Sequence, residues 1–282
     1  MLPSVSKTDL SVSATWPFEA TEEEISALPL RNHYDNGFWY DAEYVHIGGD
    51  VGPWVEWAQA LGGSILDVAC GTGRLSVPIA KAGLEVVGLD LSQPMLEAAE
   101  AKRLAHRLQS RLRFVHGDMR RFDLGQRFRG ILVGLNGLMH CLSDQELLET
   151  LRCLRAHLHC TSDDAAGRLA LDVFHGGAEW TCVRPSDPQQ LIDPDGHRWW
   201  VCERRWLDEA SGLMTLQFLY RRQQATAFEC RSEVTVRFLR PEVLDAVLHQ
   251  AGFRIFASFG DVARTRPFAG NESRRVVLAT PR

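Results

Sequence analysis

Ile65-Leu66-Asp67-Val68-Ala69-Cys70-Gly71-Thr72-Gly73-Arg74-Leu75-Ser76-Val77-Pro78 is the stretch whose reading decides the fold. A short apolar run carries an acid, a small-residue loop with two close glycines follows, and a helical pattern then begins. This predicts a buried parallel strand that turns sharply into a helix. Glycines let the backbone approach a ligand where any side chain would collide. The helix start leaves free N–H groups facing the same spot. Such a turn makes a cofactor cradle at the C-terminal end of a strand, where open α/β sheets bind their ligands. A tight strand-to-helix turn without a ligand is the simpler alternative for this segment taken alone.

Outward from this loop, the same strand-then-signal pattern recurs. Leu84 to Asp90 reads as a second buried strand ending in an acid, 17 residues after Gly73. A carboxylate at that place can accept hydrogen bonds from both hydroxyls of a ribose. Ser92 and Pro94 then open a helix, the one as cap and the other in the first turn. Leu112 to His116 reads as a third strand, followed by Gly117-Asp118-Met119. Gly130 to Asn136 is a fourth strand with its exit, and Arg168 to Val173 a fifth. The dinucleotide fingerprint would need a third glycine for close helix–strand packing, and Ser76 stands there instead. Asp67 would repel a pyrophosphate and suits a ligand that carries positive charge.

This ordered set, from about Ser64 to Val173, resembles the class I S-adenosylmethionine (SAM) methyltransferases, whose first motif is an acid followed by G-x-G-x-G. The chain departs at Ala69, where a glycine is common. The resemblance implies an α/β fold: a Rossmann-like, seven-stranded, mostly parallel sheet with a C-terminal antiparallel hairpin. It implies SAM as cofactor and S-adenosylhomocysteine (SAH) as product. The implied cofactor contacts are Asp67, Ala69, Gly71 and Gly73 in the loop, and Asp90 with Leu91 after the second strand. Asp118 is implied for the adenine amino group and Met119 for the ring face. Leu135 and Asn136 are implied for the methionine part.

Composition bounds the rest. The chain has 282 residues, 45% hydrophobic and 24% charged, as expected of a globular enzyme. A formal net charge of −5 disfavours a general nucleic-acid or anionic-membrane binder. No apolar run approaches the roughly 18 residues of a membrane span, and no signal-peptide pattern is seen. The seven cysteines, Cys70, Cys141, Cys153, Cys160, Cys182, Cys202 and Cys230, form no C-x-x-C. Reduced, mostly buried thiols in a cytoplasmic protein are therefore expected, with no disulfide framework and no metal.

The expected organisation is a mobile N-terminus over 1–20, a helical lid over 21–60, and a cofactor core over 61–174. An inserted antiparallel β-sheet after the fifth strand follows over 175–240, and the core closes over 241–282. The lid contains Asn32 to Tyr44, dense in aromatics. Tyr34 and Tyr40 could bond the SAM carboxylate or line the acceptor pocket, or simply staple a helix to the sheet. In the insertion, His197 to Leu207, Leu213 to Arg222 and Phe228 to Leu239 read as strands, and Pro185 to Gly196 as loop. Its nine arginines are balanced by nine acids, which disfavours a phosphate-tracking surface. An exposed inserted sheet could pair two copies into a homodimer. Pro241 and Gly252 bound a helix, and Phe253 to Gly260 with Ser273 to Thr280 make the closing hairpin.

Methyl transfer from SAM requires an aligned acceptor and exclusion of water. Some acceptors also need a proton removed. His140, after the fourth strand, and His175, after the fifth, are the candidate bases. His140 could equally cap the next helix. Asp172 is expected in the pocket floor. The reading is a SAM-dependent methyltransferase acting on N or O of a small molecule. An RNA-modifying methyltransferase, a noncatalytic SAM-binding partner and an NAD-linked oxidoreductase are the alternatives.

Overall fold

The computed structural model describes residues 20–44, 49–160, 166–174, 189–193 and 195–282. The expected mobile segment up to residue 19, and His175, lie outside the described residues.

The chain begins with α1 (Glu22–Ala27), β1 (Leu30–Asn32), α2 (Gly37–Glu43) and α3 (Val51–Leu61). Thr21 caps α1 in a reciprocal capping box with Glu24, and Asn36 caps α2 through the N–H groups of Phe38 and Trp39. The segment read as a helical lid also contains a strand, because β1 lies parallel to a later strand of the insertion.

The core alternates strands and helices: β2 (Ile65–Val68), α4 (Ser76–Lys81), β3 (Val86–Asp90), α5 (Gln93–Ala105), β4 (Leu112–His116) and β5 (Gly130–Val133). A 3₁₀ turn over Gly137–His140, α6 (Asp144–Ala156) and β6 (Arg168–Phe174) follow. After the insertion come β7 (Gln189–Ile192), β8 (Arg198–Asp208), β9 (Leu213–Arg222) and β10 (Cys230–Arg237). The chain closes with α7 (Pro241–Gln250), β11 (Phe253–Phe259) and β12 (Arg274–Pro281).

Seven strands form the main sheet in the order β11-β12-β6-β5-β2-β3-β4. The β2 to β6 pairings are parallel, and β12 inserts antiparallel between β6 and β11. Parallel strands covered by helices on both faces are continuous apolar runs, as in β2 and β5, where every residue is buried. Leu66, Ile131, Leu132, Leu169 and Leu171 are fully inaccessible, each contributing about 1.5–3 kcal/mol of burial. Strand order reverses between β2 and β5, so a crevice opens beyond their C-terminal ends.

The insertion forms a second, five-stranded sheet in the order β1-β10-β9-β8-β7. All its pairs are antiparallel except β1 with β10. Met214, Val234 and Val236 from this sheet join the same buried cluster as Leu66 and Leu171, so the two sheets share one core. The sequence placed β7 in a loop. It forms because Asp193 closes a tight turn back onto β8: its carboxylate accepts the N–H groups of Asp195 and His197 and the indole N–H of Trp199. No described helix is long and apolar enough to cross a membrane.

Gly88 in β3 lies against its neighbours with no room for a side chain. A Cβ there would sit 2.5 Å from Phe114 and 2.8 Å from the Cys70 sulfur. Gly88→Ala should therefore lower stability by about 1–3 kcal/mol. Adding Phe114→Leu should return part of that loss. A melting-temperature cycle checks both, and an additive double mutant would deny the contact.

Candidate functional site

The crevice is a cavity of about 660 Å³, lined from three sides. The ends of β2, β3, β4 and β5 supply its floor, α2 and the residues before it supply one wall, and β9 with β10 supply another through Leu216, Thr235 and Val236.

Asp90 ends β3 and organises the floor. Its Oδ2 accepts the Gly71 N–H at 2.7 Å and its Oδ1 accepts the Ser92 N–H at 2.8 Å. One carboxylate thus ties the first glycine loop to the start of α5, where the Ser92 hydroxyl accepts the Met95 N–H. A carboxylate has further lone pairs to offer a ligand after these two bonds. The loop itself is left-handed at Ala69 (φ 54°) and Gly71 (φ 56°). At Ala69 this costs roughly 1–2 kcal/mol, which the surrounding structure must hold. Leu135 and Asn136 repeat the strain at the end of β5, with φ of 42° and 67°. Asp172 holds them: its carboxylate accepts the Leu135 N–H, its backbone carbonyl accepts the Asn136 N–H, and Arg274 lies 3.2 Å away. The Asn136 amide oxygen in turn accepts the Phe174 N–H at 2.6 Å.

Among the predicted site residues, Tyr34, Tyr40, Ala69, Gly71, Asp90, Leu91, Asp118, Met119, Leu135, Asn136 and His140 all line this one cavity. Two do not. Asp67 is buried beneath the loop and accepts the Ser76 hydroxyl at 2.5 Å. Burial pushes its carboxyl up to about 6. Gly73 faces packing rather than ligand, since a Cβ would meet Phe114 at 2.9 Å and Ala99 at 3.4 Å. The small loop residues therefore serve two purposes: Gly71 opens the cavity and Gly73 lets α4 approach the sheet.

Asp118 is clasped by its neighbour. The Arg120 Nε and Nη2 donate to both carboxylate oxygens, which holds the acid below the usual range. Arg120 reaches on to Glu146 of α6, whose other oxygen accepts the Leu142 N–H. Arg120 and Glu146 line the cavity, and sequence reading did not single them out. The signal was present only in part: Arg120 lies two residues after Asp118, but Glu146 comes from a helix 26 residues further on.

His140 ends the 3₁₀ turn with its Nε2 3.1 Å from the Tyr34 hydroxyl. Burial lowers its proton affinity, so the ring is neutral at pH 7 and can accept the Tyr34 proton. Burial raises Tyr34 well above the usual phenol range, so the hydroxyl is protonated and donates. Tyr34 stands near Tyr40, and Tyr40 packs on Tyr44 with ring centres 4.5 Å apart. All three tyrosines line the cavity.

The wall bearing them is pinned at several points. Asp41 of α2 accepts the Thr72 hydroxyl at 2.5 Å and pairs with Lys102 of α5. The Ser92 hydroxyl donates to the Tyr34 carbonyl. Gly37 allows α2 to lie against α5, since a Cβ would fall 2.5 Å from that of Ala98. On the far side, Glu43 accepts the Tyr220 hydroxyl, which contacts Ser232, which contacts His33. Burial pushes Glu43 up to about 7 and His33 down to about 4. Sequence reading missed this network because its members lie up to 199 residues apart.

SAM fits the residues present. The acid at the end of β3, the glycine approach at Gly71 and the carboxylate of Asp118 converge on one cavity large enough for a nucleoside. Among the described residues, Asp193, Asp195 and His197 are close enough to share a metal ion, but none of them lines this cavity.

Comparison with known proteins agrees with this geometry. Residues 65–160 match a family model described as a methyltransferase domain. A putative methyltransferase, YqeM, of Bacillus subtilis (strain 168) is 35% identical over 226 residues, spanning 78% of this chain and 86% of that protein. Other curated methyltransferases match over less than half their own length. Two solved structures resemble the fold. The CcbJ methyltransferase of Streptomyces caelestis has a TM-score of 0.68 at 21% identity, covering 83% of this chain and 95% of that one. CalS10 of Micromonospora echinaspora, a SAM-bound amino pentose methyltransferase, has a TM-score of 0.67 at 20% identity, covering 86% and 97%.

Asp67 generates a pH prediction. Its folded-state proton affinity lies above the unfolded value of 3.8, so its contribution to stability is present at low pH and is lost as pH rises through about 6. Asp67→Asn should remove this dependence. Relative to the variant, the wild type should lose about 2 kcal/mol between pH 4 and 7. Denaturant titrations across that range check it, and parallel curves would mean that Asp67 does not titrate there.

Proposed function

The chain belongs to the class I SAM-dependent methyltransferases, with SAM as its cofactor, and on that premise we propose that it methylates an N or O atom of a small molecule. The observation that carries this reading is the single cavity in which the cofactor-type floor of Asp90, Gly71 and Asp118 meets an enclosed second wall from β9 and β10. In this reading residues 61–174 hold the cofactor, 241–282 complete the core, and 21–60 with 175–240 form the acceptor side.

Bound SAM supplies an electrophilic methyl, which the acceptor's lone pair takes as the C–S bond breaks and its electrons return to sulfur, leaving SAH. The protein's own residues do the remainder. Asp90 receives the ribose hydroxyls, Asp118 the adenine amino group, and Met119 with Leu91 covers the ring. Leu135 and Asn136, fixed by Asp172, turn backbone toward the methionine part. α2 closes the cavity and excludes water, which strengthens every polar contact inside. Tyr34 and His140 form a proton path: as the acceptor's proton passes to the Tyr34 oxygen, the Tyr34 proton passes to His140 Nε2.

Asp90→Asn should weaken SAM binding by about tenfold to a hundredfold in calorimetry, the loss of charge-assisted bonds, while circular dichroism stays native. Unchanged affinity would remove Asp90 from the site. His140→Ala should leave SAM affinity within about threefold and lower turnover of an accepted small molecule by about a hundredfold. Unchanged turnover would return His140 to a purely structural role.

A further inference from the structure

We infer that the wall made by Tyr34, Tyr40 and Tyr44 is an aromatic cage for the ammonium group of an unphosphorylated amine acceptor, and for its N-methylated product. This rests on the methyltransferase reading and narrows its acceptor.

The charge of the cavity comes first. Its lining carries four carboxylates, Asp35, Asp90, Asp118 and Glu146, against one guanidinium, Arg120. Arg120 is already spent: its Nε and Nη2 hold Asp118 and its Nη1 holds Glu146. Buried His140 is neutral. A phosphate or pyrophosphate on the acceptor would therefore enter a negative cavity with no free cation among the described lining residues. A positively charged group enters the same field favourably.

The aromatic wall supplies the second argument. Ring centres lie 6.1 Å apart for Tyr34 and Tyr40, tilted by 51°, while Tyr40 and Tyr44 pack on each other at 4.5 Å and 33°, which leaves only their outer faces and edges to the cavity. Ring faces attract cations, and more strongly where water is excluded. Burial first, and then the charges of Asp90 and Glu43, keep Tyr34 and Tyr40 protonated. Neutral phenols keep their ring faces available without placing a phenolate beside the cofactor. Among the described residues the Tyr40 and Tyr44 hydroxyls make no hydrogen bond, unlike that of Tyr34. Their rings, rather than polar tips, are what they bring to the wall. Met139, Leu216 and Val236 give the acceptor's carbon skeleton an apolar seat opposite.

The cage also has a use after binding. An amine that arrives protonated must lose a proton before its lone pair is free. Tyr34 is both a cage wall and the entry of the path to His140. The group that attracts the cation is thus the group that relieves it of its proton, and His140 then returns that proton to solvent. A quaternary or tertiary ammonium product would keep its attraction to the rings until SAH leaves.

The test uses the full chain saturated with SAH, so that no sulfonium competes for the rings. SAH binding is measured first by calorimetry; its failure would count against the methyltransferase reading itself. The SAH complex is then titrated with phenyltrimethylammonium and with phenyl phosphate, which share a ring and differ in charge. The ammonium probe is expected to bind at least about tenfold tighter. Tyr44→Phe should keep that affinity, and Tyr44→Leu should lower it by about tenfold, both with SAH affinity unchanged. The inference is overturned if phenyl phosphate binds as well or better, if the ammonium probe does not bind the SAH complex, or if Tyr44→Leu binds it like the wild type.

Discussion

The Asp90 carboxylate, gripping the Gly71 and Ser92 N–H groups at once, is the contact on which the site depends. It joins two strand-to-helix turns that the sequence separates by 19 residues. The left-handed backbone at Ala69 and Gly71 and the start of α5 are oriented by the same two oxygens. Because a charged acceptor bonds more strongly than a neutral one, this arrangement can hold a strained loop open toward a ligand. The wall above follows from it. Ser92, placed by Asp90, donates its hydroxyl to the carbonyl of Tyr34, whose own hydroxyl bonds His140.

The segment from β1 to α2 is tied to the second sheet by strand pairing and a buried hydrogen bond. β1 adds to the inserted sheet beside β10, and Glu43 of α2 bonds Tyr220 of β9. α2 is held from the other side by Thr72 and Lys102. The buried pair of Glu43 and His33, with facing atoms 3.7 Å apart, sits on the face toward the inserted sheet.

Much of the fold was legible in the sequence because buried parallel strands are continuous apolar runs. β4 and β9 coincide with the runs Leu112 to His116 and Leu213 to Arg222, and the remaining core strands differ by a few residues at their ends. β1 and β7 were not legible. They have three and four residues, mostly exposed, and they exist only because β10 and β8 offer them edges. The lining of the candidate cavity was legible where a signal is local, as at Gly71, Asp90 and Asp118. It misled at Asp67, whose side chain turns under the loop to meet a hydroxyl nine residues on rather than the cavity. It was silent on Arg120 with Glu146 and on Glu43 with Tyr220, pairs that only the packed structure brings together.

The most direct measurement is calorimetric titration of the full chain with SAM, SAH and NAD in parallel. SAM is the cofactor of the methyltransferases to which the chain belongs, and Ser76 stands where a dinucleotide site would need glycine. Micromolar binding of SAM and SAH without binding of NAD is the expected result. Binding of NAD in preference to both, or no adenosyl binding at all, would contradict it.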